Sequence, residues 1–253
     1  MNISIKISVI TVAFNNAATI ADTLTSVTNQ THPEVEHLII DGQSTDSTVR
    51  VVEAHRHRKI TLSSEPDDGI YDAMNKGLRR ASGEIIGFLN ADDLFADQEV
   101  LARVAAAFKN PNVSVCFGDL VYVTKDNQKI VRYWKSKPYQ RRYFARGWCP
   151  AHPTFYIRRS AMERLGFFDL TYFIAADAEF MMRYLESDSI QSTYIPHVQV
   201  RMRIGGASNR SWRNVISGNC EIFSALRKNS IPYSVFIFFA YKLASRLWQR
   251  LAR

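Results

Sequence analysis

Two adjacent carboxylates follow a short apolar run in the first half of the chain. Residues 85–89 have the length and composition of a buried strand, and they stop at Asn90-Ala91-Asp92-Asp93. Ligands bind at the carboxyl ends of strands in open α/β sheets. Carboxylate oxygens suit Mg²⁺ or Mn²⁺, with substrate phosphates completing the coordination shell. The pattern predicts a metal and phosphate site, and the alternative for this pair is a helix cap.

A third carboxylate ends another predicted strand. Residues 36–41 are apolar in their centre and finish on Asp41, and residues 42–46 form the following turn. Because the carboxyl ends of parallel strands meet at one edge of a sheet, Asp41 would share an edge with Asp92. From there it could hydrogen-bond a nucleotide base or ribose.

Strands and helices alternate four times in this half, which predicts an α/β fold with parallel pairing and right-handed crossovers. The predicted strands cover residues 3–14, 36–41, 60–63, 85–89, 113–117, 120–123, 129–134 and 154–157. The predicted helices cover residues 18–30, then a segment capped by Ser44 or Thr45 that runs to about residue 55, then residues 69–81, 98–108 and 176–185. Ser82-Gly83 is expected to end the third helix in a left-handed turn.

Length and composition point to one domain with two functional halves. The chain has 253 residues, 46% of them apolar, with no internal repeat and no low-complexity linker. We predict a nucleotide-binding half over residues 1–118, a second half over 119–229 and a tail over 230–253. The three cysteines lack zinc-site or disulfide spacing, which favours a reducing compartment. With neither a secretory signal nor a spanning segment evident, we expect a cytosolic or peripheral protein.

The net charge of +8 is unevenly distributed. Residues 1–100 carry 8 Lys and Arg against 15 Asp and Glu, and the remainder carries 24 against 9. An acidic half joined to a basic half suggests one part that grips a metal and another that faces an anionic partner. Nucleic acid, anionic lipid and a pyrophosphate-bearing substrate all qualify, and the plain alternative is a solvated basic surface.

The tail predicts an amphipathic basic helix. Ser230 can cap it and Pro232 can occupy its first turn. One face carries Lys242, Arg246, Arg250 and Arg253, a neighbouring face carries Ala240, Leu243, Leu247 and Leu251, and Trp248 lies on the flank. Such a helix is typical of a membrane interface. Amphipathicity also fits a helix packed on the domain itself, and both interpretations stay open.

Four ordered motifs resemble those of the family 2 glycosyltransferases, most closely the bacterial group that builds O-antigen and colanic-acid-type polysaccharides. They are residues 8–15 (Ser-Val-Ile-Thr-Val-Ala-Phe-Asn), residues 40–48 (Ile-Asp-Gly-Gln-Ser-Thr-Asp-Ser-Thr), residues 65–77 (Glu-Pro-Asp-Asp-Gly-Ile-Tyr-Asp-Ala-Met-Asn-Lys-Gly) and Asn90-Ala91-Asp92-Asp93. The resemblance implies a GT-A fold, a nucleotide-diphosphate sugar donor, Mn²⁺ or Mg²⁺, and inversion at the anomeric carbon. It is looser but continuous to about residue 208.

The resemblance also implies which residues surround the donor. The expected nucleotide-sugar contacts are Val12, Phe14, Asp41, Asp68, Gly69, Asn75, Lys76, Asn90, Ala91 and Asp92. Asp92 and Asp93 are expected to share the ribose and metal contacts. The family's motif often begins with Asp where this chain has Asn90, which removes one negative charge.

An inverting transfer needs a base on the far side of the sugar from the leaving diphosphate. In the family, this carboxylate starts a helix after a Gly-x-Phe-Asp turn, and here residues 166–169 lead to Asp177. Asp177 is therefore implied as the base, with an N-terminal cap as the alternative. Glu179 is the second candidate, although two residues along a helix it points about 200° away.

Two further segments and one absent motif bear on the predicted function. His152 is expected on the acceptor side, or else as a structural loop histidine. Arg201, Arg203 and residues 205–208 resemble the loop that closes over the donor pyrophosphate. The Gln-x-x-Arg-Trp motif of processive members is absent, which favours addition of one sugar.

We therefore predict an inverting, metal-dependent transferase that moves one hexose from a UDP-sugar, in preference to a GDP-sugar, to a polyprenyl-pyrophosphate-linked saccharide. Its expected location is the inner membrane face, against an anionic surface. A sugar nucleotidyltransferase would need a glycine-rich loop after the first strand, and residues 12–17 contain no glycine. A nucleic-acid-binding module would use the basic half but leaves the four aspartates unexplained, so we expect no nucleic acid partner.

Overall fold

Nine strands pair into one sheet in the computed structural model, which describes residues 4–55, 60–205 and 212–251. The strands are β1 (Ile7–Ala13), β2 (Val35–Asp41), β3 (Ile60–Ser64), β4 (Ile85–Phe88), β5 (Leu94–Phe95), β6 (Val113–Val123), β7 (Ile130–Trp134), β8 (Tyr156–Arg158) and β9 (Gln191–Arg203). The helices are α1 (Ile20–Thr28), α2 (Thr48–Ala54), α3 (Ile70–Arg80), α4 (Val100–Ala107), α5 (Arg159–Leu165), α6 (Ala176–Leu185), α7 (Trp212–Lys228) and α8 (Val235–Leu251). The predicted α/β class is confirmed.

The order of the strands creates a crevice at one edge of the sheet. The order is β3-β2-β1-β4-β8-β6-β9-β5, with β7 paired to β6. β1 pairs in parallel with β2 on one side and with β4 on the other, whereas β8 runs antiparallel to β4 and β6. Because the chain crosses to the opposite side of β1 after β3, the turns that follow β1 and β4 diverge and leave room for a ligand.

Helices cover both faces of the sheet. All seven residues of β1 are buried; Ile10 and Val12 face a cluster shared with α3, and Ile7 and Val9 face one shared with α4. α3 approaches closely, since a Cβ atom on Gly77 would lie 2.4 Å from Cγ2 of Ile10. This double burial explains why β1 is a continuous run of apolar and β-branched residues.

Two local predictions are wrong. α3 ends at Ala81 in an extended conformation, without a left-handed turn at Ser82-Gly83. A glycine is required at position 83 because there is no room for a side chain. A Cβ atom there would lie 2.6 Å from the backbone nitrogen of Ser8.

The strands predicted at residues 113–117 and 120–123 form one continuous strand, β6, which also crosses the predicted boundary at residues 118 and 119. Asp119 is tolerated inside it because its carboxylate accepts hydrogen bonds from the backbone of Ser136 and the hydroxyls of Tyr133 and Tyr194.

The tail helix packs on the fold with one face and exposes the other. Phe238 is buried against Phe223 of α7, with ring centroids 5.0 Å apart, and its carbonyl oxygen lies 3.0 Å from where a Cβ atom on Gly147 would stand. Gly147 has φ +69°, so a glycine suits both the backbone and the close approach. On the opposite face Phe236 is 82% exposed, and Leu243 is also exposed. One face of the tail helix therefore packs on the domain, and binding of the exposed face to a membrane stays a prediction.

The basic face of the tail differs from the prediction. Lys242 donates to Asn219 of α7 at 2.7 Å, so it faces the fold. The side chains of Arg246, Leu247, Trp248, Arg250, Leu251 and Arg253 lie outside the described residues. The helix begins at Val235, after Ser234 rather than Ser230, because Ser230 has φ +55° at the end of α7. No helix in the described ranges is long and apolar enough to cross a bilayer.

Glu36 joins β1, β2 and the turn before β4. Its carboxylate accepts hydrogen bonds from the Ser8 hydroxyl at 2.5 Å, the Ser82 backbone at 2.8 Å and the Lys6 ammonium at 3.2 Å, and from the Ser82 hydroxyl. Burial raises the pKa of Glu36, but these hydrogen bonds outweigh it and lower the pKa to about 2.

Glu36→Gln is expected to destabilise the protein in a pH-dependent way. Because the folded pKa lies below the ordinary value, the stabilisation by Glu36 is complete above about pH 4.5 and is lost as the pH falls toward 2. The difference in the free energy of unfolding between wild type and variant, from urea titrations, should therefore shrink between pH 5 and pH 3. Glu34→Gln, an exposed neighbour, is the control and should show no such trend. An equal difference at both pH values would contradict the role of Glu36.

Candidate active site

Three turns converge where β1, β2 and β3 end. Phe14, directly after β1, is 61% exposed, whereas the Val12 side chain is buried, so only its backbone can face the crevice. Gly42 follows β2, and a Cβ atom there would lie 2.3 Å from Oδ2 of Asp67 and 3.5 Å from the Phe14 ring. The turn after β3, with Asp68 and Gly69, therefore lies against the turns after β1 and β2, as the predicted donor site requires.

Side chains lock the first two turns together. Oδ1 of Asn15 accepts hydrogen bonds from the backbone of Thr45 at 2.9 Å and of Asp46 at 3.2 Å. In return the Asn15 backbone donates to the Ser44 hydroxyl at 2.8 Å, and the Asn16 backbone donates to the Thr48 hydroxyl at 2.8 Å. Asn15 adopts φ +55°, a left-handed conformation that asparagine tolerates best among non-glycine residues.

Asp41 lies beneath these turns. It is fully buried, and its carboxylate accepts hydrogen bonds from the Ser44 backbone at 3.0 Å, the Ser64 hydroxyl at 2.6 Å and the Ser44 hydroxyl. These contacts fix the shape of the pocket. The direct contact of Asp41 with a base or ribose stays a prediction.

The turn after β4 is held through its backbone. The carbonyl of Ala91 accepts from the Thr19 hydroxyl at 3.0 Å, that of Asp92 from the Arg203 guanidinium at 3.0 Å, and that of Asp93 from the Thr23 hydroxyl at 2.7 Å. Because Thr19, Thr23 and Arg203 hold these three carbonyls, the carboxylates of Asp92 and Asp93 are not needed to hold the turn.

The two carboxylates carry charge that the protein leaves largely uncompensated. Asp93 is 1% exposed; its Oδ2 accepts from the Asn90 amide at 3.3 Å, and its Oδ1 is buried without a partner. Burial raises the pKa of Asp92, and burial together with the neighbouring Asp92 raises the pKa of Asp93 well above its ordinary value. A bound cation would remove this cost.

The carboxylates of Asp92 and Asp93 suit a divalent metal ion only when other groups complete its coordination shell. Within the described residues, no group of three or more His, Cys, Asp or Glu side chains could hold a metal ion. Mg²⁺ and Mn²⁺ often take one or two carboxylates and complete their shell with phosphate and water. Asp92 and Asp93 therefore suit a cation that arrives with a phosphate-bearing ligand.

Asp177 lies in the first turn of α6, which begins at Ala176 as predicted. Its Oδ1 accepts hydrogen bonds from the Ala178 backbone at 2.8 Å and from the Tyr71 hydroxyl at 3.3 Å. No donor in the described part of the chain bonds Oδ2. Burial, and next the Asp177 charge, raise the pKa of Tyr71, so this hydroxyl stays protonated and can donate. Asp177 therefore makes a capping-type contact through Oδ1, while its Oδ2 has no donor among the described residues.

An aromatic cluster connects the Asp92–Asp93 turn to Asp177. Phe88, two residues before Asn90, lies 5.2 Å from the His152 ring and 5.4 Å from the Phe168 ring, centroid to centroid. Phe168 in turn lies 5.6 Å from the ring of Tyr71, which contacts Asp177. These ring contacts link the strand that precedes the aspartate pair to the first turn of α6. That the aspartate pair and Asp177 face one crevice stays a prediction.

His152 is buried between Phe88 and Phe168 and has an unpartnered Nε2. Burial lowers the pKa of His152 although the charge of Asp177 acts the other way, so the ring is neutral near pH 7. Its predicted place on the acceptor side stays a prediction.

Two predicted site residues have structural roles instead. Asn75 exchanges two hydrogen bonds with the Phe168 backbone, at 3.0 and 2.9 Å, and so holds the loop before α6. Glu179 is fully buried and ion-paired with Arg183 at 3.0 Å and Lys228 at 3.2 Å. Asn75 and Glu179 therefore have partners within the protein, and contact of either with a substrate stays a prediction.

The predicted basic residues are engaged with the protein. Lys76 pairs with Asp72 at 3.1 Å and donates to the Pro66 carbonyl, which braces the turn at Asp68. Arg201 donates to Asn127.

Arg203 is buried against Asp22 and the Asp92 carbonyl. Its guanidinium therefore supports the aspartate turn, and contact of Arg201 or Arg203 with a pyrophosphate stays a prediction. Residues 206–208 of the predicted closing loop lie outside the described residues.

Sequence reasoning missed Tyr71, Phe88, Phe168 and Glu221. Tyr71 lies within the motif of residues 65–77, but the residue types of that motif do not show that Tyr71 contacts Asp177. Glu221 of α7 binds the segment before α6, a contact between distant elements that no local pattern signals.

Comparison with known proteins gives one family. The family profile described as Glycosyl transferase family 2 matches residues 8–166. A PGL/p-HBAD biosynthesis glycosyltransferase of Mycobacterium bovis (strain BCG / Pasteur 1173P2) is 30% identical over 208 residues, 80% of this chain and 78% of the relative. The Escherichia coli UDP-Glc:alpha-D-GlcNAc-diphosphoundecaprenol beta-1,3-glucosyltransferase WfgD is 32% identical over 126 residues, 49% of each chain.

Solved structures agree on the fold. S. aureus TarS 1-349 aligns with a TM-score of 0.67 and 20% identity, over 96% of this chain and 72% of that one. The mannosyltransferase PcManGT from Pyrobaculum calidifontis, in complex with GDP-Man and Mn²⁺, aligns with a TM-score of 0.69 and 22% identity, over 99% and 71%.

Asp93→Asn is expected to stabilise the metal-free protein. The change removes a buried charge with an unpartnered oxygen, so we expect a gain of about 1 kcal/mol, or about 2–4 °C in Tm, in EDTA-containing buffer at pH 7. Asp97→Asn, which alters a half-exposed carboxylate paired with Arg103, is the control and should change Tm little. A lower Tm for Asp93→Asn would show that the charge is compensated by the protein.

Proposed function

The chain belongs to the family 2 glycosyltransferases, and we propose that it transfers one hexose, with inversion, from a nucleotide-diphosphate sugar to a lipid-linked saccharide. The donor is a UDP-sugar in preference to a GDP-sugar. The product serves surface polysaccharide biosynthesis, of the O-antigen, capsule or exopolysaccharide kind. Addition of a single sugar follows from the absent Gln-x-x-Arg-Trp motif.

The observation that carries the proposal is the link between the two acidic sites. The rings of Phe88, Phe168 and Tyr71 run from the Asp92–Asp93 turn to Asp177 in successive contacts of 5.4 and 5.6 Å. A transfer with inversion needs an anion-binding site on one side of the anomeric carbon and a base on the other. This crevice supplies a candidate for each.

On the donor side, the exposed ring of Phe14 and the turns at Asp41 and Asp68-Gly69 enclose the nucleoside. Asp92 and Asp93 would hold a divalent cation, Mn²⁺ or Mg²⁺, which when bound would stabilise negative charge on the leaving diphosphate. Asn90 hydrogen-bonds Asp93 and so keeps this pair oriented without adding a third charge.

On the acceptor side, Oδ2 of Asp177 takes the proton of the attacking hydroxyl. The hydroxyl oxygen forms the new bond to the anomeric carbon while the bond to the diphosphate oxygen breaks, and the leaving group keeps the electron pair. Tyr71 donates to Oδ1 of Asp177 and fixes the direction of the carboxylate. Neutral, buried His152 bounds the acceptor side of the crevice.

The relatives support the substrate class. The name of WfgD specifies UDP-Glc as donor and a diphosphoundecaprenol-linked GlcNAc as acceptor. TarS 1-349 was solved with UDP and with UDP-GlcNAc, whereas PcManGT was solved with GDP-Man. We place this chain with the UDP-sugar enzymes because WfgD is 32% identical to it, whereas PcManGT is 22% identical.

The exposed face of α8 supports a peripheral location on the inner face of the cell membrane. Phe236 and Leu243 present apolar surface to solvent on the face opposite to Phe238. The basic half of the chain carries 24 Lys and Arg after residue 100, which favours an anionic leaflet. A lipid-linked acceptor would then lie in the same surface that the enzyme binds.

Replacing Asp177 by Asn is expected to abolish turnover but spare donor binding. We would measure UDP release from a panel of UDP- and GDP-sugars, with GlcNAc-diphosphoundecaprenol among the acceptors and Mn²⁺ present. Loss of the base should slow transfer by about 10²–10⁴-fold.

Binding of UDP with Mn²⁺, followed by thermal shift, should persist in Asp177→Asn and disappear in Asp92→Asn. Asp169→Asn, which alters a carboxylate paired with Lys228 at the surface, is the control. Wild-type turnover by Asp177→Asn would refute the base assignment, and metal-independent turnover would refute the metal site.

Replacing both Phe236 and Leu243 by Ser is expected to release the protein from anionic vesicles. Each exposed apolar side chain contributes about 1.5–3 kcal/mol when buried, so the vesicle partition coefficient should fall at least about tenfold. Ile130→Ser, a half-exposed residue of β7, is the control. UDP binding should be unchanged in all variants, and unaltered sedimentation of the double variant would place the membrane contact elsewhere.

A further inference from the structure

Glu221 of α7 binds the segment that leads into α6. One carboxylate oxygen accepts from the Phe173 backbone at 3.2 Å, and the other accepts from the backbones of Ile174 at 2.9 Å and Ala175 at 2.8 Å. Three successive backbone N–H groups therefore share one charged acceptor. Charge-assisted hydrogen bonds of this kind are stronger than those between neutral groups.

The same segment is held from its other side. The Tyr71 hydroxyl of α3 donates to the Ile174 carbonyl at 2.9 Å, and α7 packs so closely that a Cβ atom on Gly218 would lie 3.1 Å from Cγ2 of Ile174. Glu221 and Tyr71 thus clamp the peptide groups of residues 173–175 between α7 and α3. Asp177 follows this clamp by two residues.

The clamp decides where the Asp177 carboxylate stands. α6 begins at Ala176 with no side-chain cap, so the direction of its first turn depends on residues 173–175. The single hydrogen of the Tyr71 hydroxyl is shared between the Ile174 carbonyl at 2.9 Å and Oδ1 of Asp177 at 3.3 Å, so Tyr71 lies against both the clamped segment and the carboxylate. Oδ2 of Asp177 keeps no donor within the described residues and faces no competing contact.

We propose that Glu221 is a positioning residue for the transfer reaction: by binding the N–H groups of residues 173–175, it fixes the first turn of α6 and with it the Asp177 carboxylate. This inference rests on the proposed function, in which Asp177 is the base. Glu221 lies beyond the 8–166 segment that the family profile matches. The residue that positions the base therefore lies outside the segment that the family profile matches.

The contact itself is tested by hydrogen exchange. Glu221→Gln keeps the size of the side chain but replaces one oxygen by an NH₂ group, which cannot accept a hydrogen bond. Amide exchange of a peptide spanning residues 170–178, followed by mass spectrometry, should accelerate at least about tenfold in this variant. Glu186→Gln is the matched control, because Glu186 accepts a backbone N–H from Arg142 near the other end of α6. Unchanged exchange in Glu221→Gln would overturn the proposal.

The positioning role is tested by kinetics. With the nucleotide sugar that gives the fastest UDP release, Glu221→Gln should lower kcat by about 10–100-fold, the loss expected when a reacting group is displaced by about 1 Å. The KM for the donor and the binding of UDP with Mn²⁺ should stay within about twofold of wild type, since the donor side is unaltered. Glu186→Gln should retain the wild-type kcat.

A double variant separates positioning from general weakening. If Glu221 acts through Asp177, adding Glu221→Gln to Asp177→Asn should cause no further loss of kcat. An additive loss, or a wild-type kcat for Glu221→Gln alone, would overturn the positioning role. Wild-type kcat for Asp177→Asn would instead reject the base of the proposed function, so the two failures are distinguishable.

Discussion

The structure depends on the uncharged rings that connect the turn after β4 with the first turn of α6. Asp92 and Asp93 follow β4, and Asp177 lies in the first turn of α6. Neutral side chains between these turns hold their relative position and add no charge beside the carboxylates. Phe88, Phe168, Tyr71 and neutral His152 do this through ring contacts of 5.2–5.7 Å. Asn75 then ties Phe168 to α3 through two backbone hydrogen bonds, so the rings cannot move apart independently of the sheet.

Stability and chemistry make opposite demands on the carboxylates. Asp41, Glu36 and Asp119 are surrounded by hydroxyl and backbone donors, and each joins neighbouring elements. Asp93 has a buried oxygen with no partner, and its pKa is raised by burial and by Asp92. Unsatisfied buried groups are uncommon in folded proteins and often mark a ligand site. The contrast between satisfied and unsatisfied aspartates therefore separates the supporting residues from the candidate metal ligands.

The sequence predicted the parts of the fold that local pattern controls. The run that ends at Asn90 and the helix 176–185 were both found, because apolar length and periodicity define them. The strand β9 was not, since its exposed Pro196 and His197 interrupt the alternation. Contacts between distant elements escaped as well. Asn75 was assigned to the donor by resemblance, yet its amide serves Phe168, and Glu221 acts on a segment more than forty residues away. Such roles depend on which elements meet in space, and a single sequence does not show this.

The position of Glu221 in α7 has a consequence for the folding of the protein during its synthesis. Synthesis from the amino terminus delivers the turns around Asp41 and Asp92 long before α7. Until α7 emerges, the N–H groups of residues 173–175 lack their carboxylate acceptor. A chain that has not yet reached α7 would thus contain the turns around Asp41 and Asp92 but an unanchored α6. The order of synthesis therefore delays the complete arrangement until α7 has emerged.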